Sequence, residues 1–221
     1  MLYAVASSKR VRGNDSKTAL AGGVSNCDPD RVSGGKNMLN FERYGGRRGF
    51  VRHLSAYTGT LVGAYRPLQR LDWARIDRFV FVCAGNICRS PYAEARARAA
   101  GVNTISFGLD ASDGATADAV AMRNASSRNV DLSAHRSARL EIARLRAGDL
   151  VLLFEPRQVD SFMRLEGAQR QMVSLVGLWS APARPHLTDP YGKSDRYFQE
   201  CFNLIDSGVN RLLLQRPRAA A

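Results

Sequence analysis

A doubly wound α/β domain is the fold class that the sequence predicts: three layers, with a four-stranded parallel sheet and helices on both faces. Two patterns predict it. Four short strand-like runs alternate with stretches of helical periodicity, the mark of a parallel sheet with crossover helices. A Gly-containing loop with a Cys, an Arg and a helix start follows directly on the first of those runs, and open α/β sheets bind ligands beyond the carboxyl ends of their strands. The 221 residues and 45% apolar content allow one or two domains with a sizeable core.

The elements follow in order. Residues 79–82, 104–106, 150–153 and 172–175 read as strands, the third within Asp149-Leu150-Val151-Leu152-Leu153. Helical pattern occupies 92–100, 117–129, 138–145 and 158–165. A long amphipathic helix is predicted over 194–214, with Tyr197, Phe198, Phe202, Leu204, Ile205, Val209 and Leu212 on its apolar side. No internal repeat is present.

The N-terminal third reads differently. Residues 1–37 are rich in Gly, Ser, Asn and Asp, lack apolar periodicity and read as a disordered extension. No stretch there has the length and flanks of a signal peptide. Met38 opens a basic, partly helical segment, 38–78, and is an alternative start of the protein. Phe50, Leu54, Tyr57 and Leu61 fall on one face of a helix, flanked by Arg47, Arg48, Arg52, Arg66 and Arg70, with Gly59 and Gly63 weakening it. A weak membrane-surface contact through residues 47–70 is one reading. The favoured one is a helix that packs this face on the core or frays.

Charge and cysteine content narrow the function. The formal net charge is +12, and residues 1–78 hold 14 basic and 6 acidic residues against 18 and 14 in 79–221. The excess thus lies mostly outside the predicted sheet domain. No nucleic-acid motif accompanies it and Arg is not clustered with aromatics, so nucleic-acid binding is not expected. Cys27, Cys83, Cys88 and Cys201 are too few for a secreted disulfide scaffold. None pairs with a nearby His in metal-ligand spacing, so no metal is expected.

The run Val82-Cys83-Ala84-Gly85-Asn86-Ile87-Cys88-Arg89-Ser90-Pro91 carries the chemistry. A tight strand-to-helix loop turns successive N–H groups inward into an anion site, and the helix N-terminus adds positive potential. Gly85 suits the curl, Pro91 suits the first helical turn, and Ser90 is placed as an N-cap. The helix start and Arg89 are expected to hold Cys83 largely as thiolate at neutral pH, the nucleophilic form. Arg89 offers a planar fork of donors matched to two phosphoryl oxygens.

Cys-x-Gly-Asn-Ile-Cys-Arg-Ser-Pro closely resembles the phosphate loop of the low-molecular-weight protein tyrosine phosphatases, and the resemblance extends from residue 79 to about 215. It implies a catalytic domain over 79–221, in a bacterial-type member with an N-terminal extension. It implies Cys83 as nucleophile and Arg89 as oxyanion binder. Asp189, in Asp189-Pro190-Tyr191-Gly192, would be the general acid that later activates water; taken alone, that segment reads as a surface turn. Ala84, Gly85, Asn86, Ile87, Cys88 and Ser90 would hold the phosphate, with Ser90 easing departure of the sulfur. Tyr191 would line the entrance, and Gly192, where relatives often carry an aromatic residue, departs from the pattern and opens the rim.

Weaker matches lie between. Ser106-Phe107-Gly108 resembles the family's Ser-Ala-Gly with Phe107 as a departure, and residues 131–137 resemble its Asp-Leu-Ser-x-His-Arg-Ser. They imply that Ser106 and His135 support Asn86 by hydrogen bonds; an ordinary half-buried His is the plain alternative for His135. Cys88 either fills space or, by resemblance, forms a reversible disulfide that protects Cys83. Cys201 reads as simply buried.

The resemblance implies hydrolysis of phosphotyrosine in a protein substrate through a cysteinyl-phosphate, without cofactor, in the reducing cytoplasm. The physiological partner it suggests is a bacterial tyrosine autokinase of exopolysaccharide production. Three alternatives stand beside it. An arsenate reductase would need relay cysteines, for which only Cys27 and Cys201 remain. A protein-arginine phosphatase would carry Thr where this chain has Ile87. A non-enzymatic phosphotyrosine-binding module would be expected to lack Cys83 or Asp189.

Overall fold

The computed structural model describes residues 41–216. The expectations for residues 1–37, for Met38 and for Cys27 lie outside the described residues. Strands β1 (Arg78–Cys83), β2 (Thr104–Gly108), β3 (Asp149–Leu153) and β4 (Met172–Leu175) form one parallel sheet in the order β2-β1-β3-β4. Every residue of β1 and β3 is buried, as expected for central strands covered on both faces. Alternation divides their side chains between two cores. Phe79, Phe81, Leu150 and Leu152 face one, while Val80, Val82, Val151 and Leu153 face the other. Arg78 closes the amino-terminal edge by an ion pair to Asp149 at 2.6 Å.

Helices α2 (Arg89–Ala99), α3 (Ala119–Ser126) and α5 (Asp195–Gln215) cover the first face, and α4 (Pro156–Met163) covers the second. The apolar side of α5 buries all seven residues that the periodicity singled out. Tyr92 of α2 stacks on Phe202 of α5, with ring centroids 3.8 Å apart. The order reverses at β1, which runs outward to β2 on one side and to β3 on the other. Its carboxyl end, with that of β3, is therefore the crevice of this architecture.

Three local expectations need correction. Residues 138–145 form no α-helix. Gly108 of β2 donates to the Ala138 carbonyl and accepts from the Leu140 N–H, at 2.9 and 2.8 Å, so the chain is drawn out along the sheet edge. Leu140 enters the second core, and only a 3-10 turn, Ile142–Arg144, follows. Helix α3 is shorter than 117–129: Asp118 sets its start by accepting from the N–H groups of Val120 and Ala121, and it ends at Ser126. Ser90 is not an N-cap: α2 begins at Arg89, Cys88 holds the cap position, and Ser90 lies within the first turn.

The N-terminal helix α1 (Arg47–Leu61) forms, but the apolar stripe does not pack on the core. Leu54 and Leu61 are 53% and 69% exposed, and the buried residues are Gly49 and Ala56. Those small residues let the backbone approach closely: a Cβ on Gly49 would lie 2.9 Å from Thr188 Oγ1. Phe50 instead packs edge-on against Phe41 and Tyr44, each 5.2 Å away by ring centroid.

Candidate active site

The loop between β1 and α2 is built to hold an anion. Its carbonyls are drawn outward: those of Cys83 and Ala84 accept from the Leu109 and Asp110 N–H groups, and that of Ile87 from Asp118, each at 2.9 Å. The N–H groups of Ala84 to Cys88 donate to no acceptor among the described residues. Five donors without partners along one curled loop form a concave, electropositive cradle ahead of the α2 N-terminus. Gly108 permits the curl, since a Cβ there would lie 2.6 Å from the Ala84 carbonyl oxygen and 2.9 Å from the Asn86 nitrogen.

Asn86 is the keystone of the loop. It adopts φ 54°, a left-handed conformation in which Asn is enriched. Its Nδ2 donates to Ser90 Oγ and Ser106 Oγ, both at 2.9 Å, and its Oδ1 accepts from the Ala138 N–H at 2.9 Å. His135 Nε2 donates to its carbonyl at 2.7 Å. Ser106 in turn donates to Glu94 Oε2 at 2.5 Å, and Glu94 pairs with Arg98. Ser106 and His135 thus both touch Asn86. Ser90 Oγ lies 3.1 Å from Cys83 Sγ, so a hydroxyl stands at the sulfur.

Arg89 is wholly buried between two carboxylates. Nη1 donates to Glu155 Oε1 at 2.6 Å and to the Leu187 carbonyl at 2.8 Å, while Nη2 donates to Asp189 Oδ2 at 2.6 Å. Burial opposes its charge, but Asp189 and Glu155 outweigh that and raise its pKa above the ordinary value. Its Nε–H has no partner, so the guanidinium retains donor capacity for an anion. Glu155 is held below the usual carboxylate range: burial alone would raise it, and Arg89 reverses the sign.

Glu155 escaped the sequence reading, although a signal existed. It stands just past the carboxyl end of β3, the strand beside β1, where the rule that singled out Cys83 applies equally. Glu155 also caps α4, accepting from the N3 backbone as Gln158 reaches back, and that local role is what the sequence around Pro156 suggests. Its reach across to Arg89 is tertiary.

Asp189 lies 100 positions after Arg89 and meets it at the mouth of the loop. Its side chain is 34% exposed, and its Oδ1 accepts from the Tyr191 N–H at 3.2 Å. Cys83, Ala84, Gly85, Ile87, Cys88, Asp110, Asp189 and Tyr191 line one open cleft of about 430 Å³. Tyr191, 60% exposed, stands at its rim. Asp110 is a second lining residue that the sequence reading missed. Cys88 is buried, and burial, with Asp189, Asp118 and Cys83 nearby, raises its thiol pKa. Burial in α5 pushes the Cys201 thiol up to about 12, so neither is a thiolate at neutral pH.

His186 is buried 3.8 Å from Glu155 Oε2, and its Nε2 has no hydrogen-bond partner. Burial pulls its pKa down to about 4 from the usual 6.5; Glu155 resists, and Arg52, Arg89 and Arg157 add to the fall. Between those two values the unfolded chain takes up a proton that the folded one refuses. The stability this group contributes is complete above the usual value and is lost as pH falls toward about 4. The urea midpoint is expected to drop across that window, and to drop less in His186→Asn. An equal drop in both proteins would refute the assignment to His186.

The chain matches the family described as low molecular weight phosphotyrosine protein phosphatase over residues 78–219. A protein of Ralstonia nicotianae, named probable low molecular weight protein-tyrosine-phosphatase EpsP, is 32% identical over 137 residues, which are 61% of this chain and 92% of that protein. The crystal structure of the Erwinia amylovora tyrosine phosphatase AmsI superposes with a TM-score of 0.60 at 30% identity, over 65% of this chain and 95% of that one. A structure of the YwlE arginine phosphatase superposes with a TM-score of 0.57 at 26% identity, over 62% and 94%.

Proposed function

Because the chain belongs to the low molecular weight phosphotyrosine protein phosphatase family, we propose that it hydrolyses phosphotyrosine in a protein substrate through a phosphorylated Cys83. The observation that carries this reading is the convergence of Asp189 on Arg89 at the mouth of the Cys83 loop. In the first step the Cys83 sulfur attacks phosphorus and the P–O bond to tyrosine breaks. The electron pair of that bond goes to the phenolic oxygen, which takes its proton from the Asp189 carboxyl. The loop N–H groups and Arg89 hold the three equatorial oxygens as charge builds on them. In the second step water attacks the cysteinyl-phosphate and gives a proton to the Asp189 carboxylate. The S–P bond breaks, and the Ser90 hydroxyl steadies the sulfur as it leaves with the electron pair. Glu155 fixes the guanidinium plane, and Asn86, Ser106 and His135 hold the curl of the loop.

Ile87 lines the cleft and packs on the first core, which supports tyrosine over arginine as the phosphorylated residue. A phosphotyrosine peptide is expected to be hydrolysed at least about 100-fold faster, by kcat/KM, than a phosphoarginine peptide of the same sequence, a difference within the reach of pocket discrimination. Comparable rates, or a preference for phosphoarginine, would move the reading to the arginine phosphatases, whose fold is shared.

A tyrosine autokinase of the exopolysaccharide type is the partner favoured by the resemblance to bacterial members, and the cytoplasm is the compartment in which Cys83 stays reduced. No helix among the described residues is long and apolar enough to cross a membrane. The outer face of α1 nevertheless suits an anionic lipid surface: Val51, Leu54, Leu61 and Val62 are exposed beside Arg47, Arg48 and Arg52. The full chain is expected to co-sediment with phosphatidylglycerol vesicles and less so after Leu54→Ser with Leu61→Ser. Equal binding by both proteins would rule this face out.

A further inference from the structure

We propose that residues 41–49, backed by α1, form an in-chain brace that holds the Asp189 loop over Cys83, so that proton delivery to the leaving group depends on a segment outside the family's matched range. This rests on the reading of Asp189 as the acid. The brace lies before residue 78, where that range begins.

Asp189 belongs to a stretch, 179–194, that contains neither helix nor strand, and a loop without ladder hydrogen bonds is as well placed as its side contacts make it. On its inner side the loop is tied to the sheet domain. The Leu187 N–H donates to the Phe154 carbonyl at 2.8 Å, and Arg89 holds the Leu187 carbonyl at 2.8 Å. On its outer side it meets the N-terminal segment at both ends and in the middle.

At the start of the loop, Arg184 is 6% exposed, donates Nη1 to the Arg43 carbonyl at 3.0 Å and sits 4.9 Å over the Tyr44 ring. At its end, Ser194 Oγ, the N-cap of α5, donates to Glu42 Oε1 at 2.7 Å, and Arg196 reaches Glu42 Oε2 at 3.3 Å. In the middle, Thr188, the residue before Asp189, is half-buried against the segment. A Cβ on Gly45 would lie 2.9 Å from Thr188 Cγ2 and 3.1 Å from the Tyr197 ring, and one on Gly49 would lie 2.9 Å from Thr188 Oγ1. Tyr197 fixes the same residue by donating its hydroxyl to the Thr188 carbonyl at 3.1 Å. Gly45 also has φ +74°, which a side chain would strain. Two glycines side by side against one threonine make the contact a backbone-close fit, through which a shift of residues 41–49 is passed to the neighbouring carboxylate.

A displaced acid has a specific kinetic signature. Loss of about 1 Å of alignment can cost on the order of 100-fold, but only where the leaving oxygen needs the proton. A nitrophenolate departs without it, and an ordinary phenolate of pKa about 10 does not. The test is the slope of log kcat/KM against phenol pKa for a series of aryl phosphates, measured on the full chain. That slope does not depend on how much of the enzyme is folded. Two variants are compared: Gly49→Ala, which adds a methyl group against Thr188 and the Tyr44 carbonyl, and Glu42→Ala with Tyr44→Ala, which only removes contacts.

Both variants are expected to steepen the slope, losing about ten-fold or more on phenyl phosphate and less than about two-fold on p-nitrophenyl phosphate. A slope equal to wild type in both variants, whether or not all rates fall together, would overturn the brace. Asp189→Ala is the control. Should it too leave the slope unchanged, the reading of Asp189 as the acid fails, an outcome separable from failure of the brace alone.

Discussion

Cys83→Ser is expected to lower hydrolysis of aryl phosphates by at least about 10⁴-fold, as removal of a nucleophile does elsewhere, while leaving oxyanion binding in place. The separation of the two effects follows from the geometry. The donors that would hold phosphate are the N–H groups of Ala84 to Cys88 and the guanidinium of Arg89, none of which the substitution touches. The loop shape depends on Asn86, fixed by Ser90, Ser106, His135 and Ala138. Serine places a poorly ionised hydroxyl where the sulfur stood, 3.1 Å from Ser90 Oγ, and an alkoxide is far harder to form than a thiolate. Orthovanadate or phosphate should therefore still protect the variant against thermal unfolding. A Cys83→Ser enzyme that retained a tenth of the wild-type rate would contradict the nucleophile assignment outright.

Arg89→Lys, although it conserves charge, is expected to cost about 10²–10³-fold in kcat/KM, the scale set by loss of an oxyanion donor. Arg89 spans three acceptors at once, namely Glu155, the Leu187 carbonyl and Asp189, and a single ammonium cannot reproduce a planar fork. The loss should fall on kcat as well as KM, since the fork aligns phosphate and acid together. Arg89→Leu goes further by leaving Glu155, a buried carboxylate that burial pushes up and Arg89 chiefly pulls down, with only the half-exposed Arg157 as its ion-pair partner and His186 nearby. Breaking a buried pair from one side costs roughly 3–5 kcal/mol, so this variant should also melt at a markedly lower temperature. If Glu155→Gln restored stability to Arg89→Leu without restoring activity, the two roles of the guanidinium would be separated.

The legible parts of this chain were those encoded locally. The two central strands, β1 and β3, are compact apolar runs, and β4 matches its predicted bounds residue for residue. The Cys83 loop packs thiol, glycine, arginine and helix start into ten residues, so its chemistry needs no tertiary information. The register of β1 against β2 brings Phe81 opposite Ser106 and Cys83 opposite Gly108, so Ser106 arrives beneath the loop as the sequence resemblance implies.

The misses share one cause, competition from partners distant in sequence. Residues 138–145 have helical pattern, but the edge at Gly108 offers hydrogen bonds that draw out their first part. The stripe of α1 has the spacing of a buried face, yet Gly49 and Ala56 allow the closer approach and win the packing. Glu155 went unread because its partner Arg89 is 66 positions away. The same holds for the brace on Thr188, since Gly45 and Gly49 meet it across about 140 residues of chain.

The central claim is that phosphate passes through a covalent bond to Cys83, and it can be read directly. Asp189→Ala mixed with p-nitrophenyl phosphate, whose leaving group needs no acid, should form the cysteinyl-phosphate and then release it slowly for want of a base. Acid quenching, digestion and mass spectrometry are expected to find one phosphoryl group on the peptide containing Cys83, absent when Cys83→Ser is added. A phosphoryl group on any other residue, or sustained turnover with Cys83 never modified, would contradict the account.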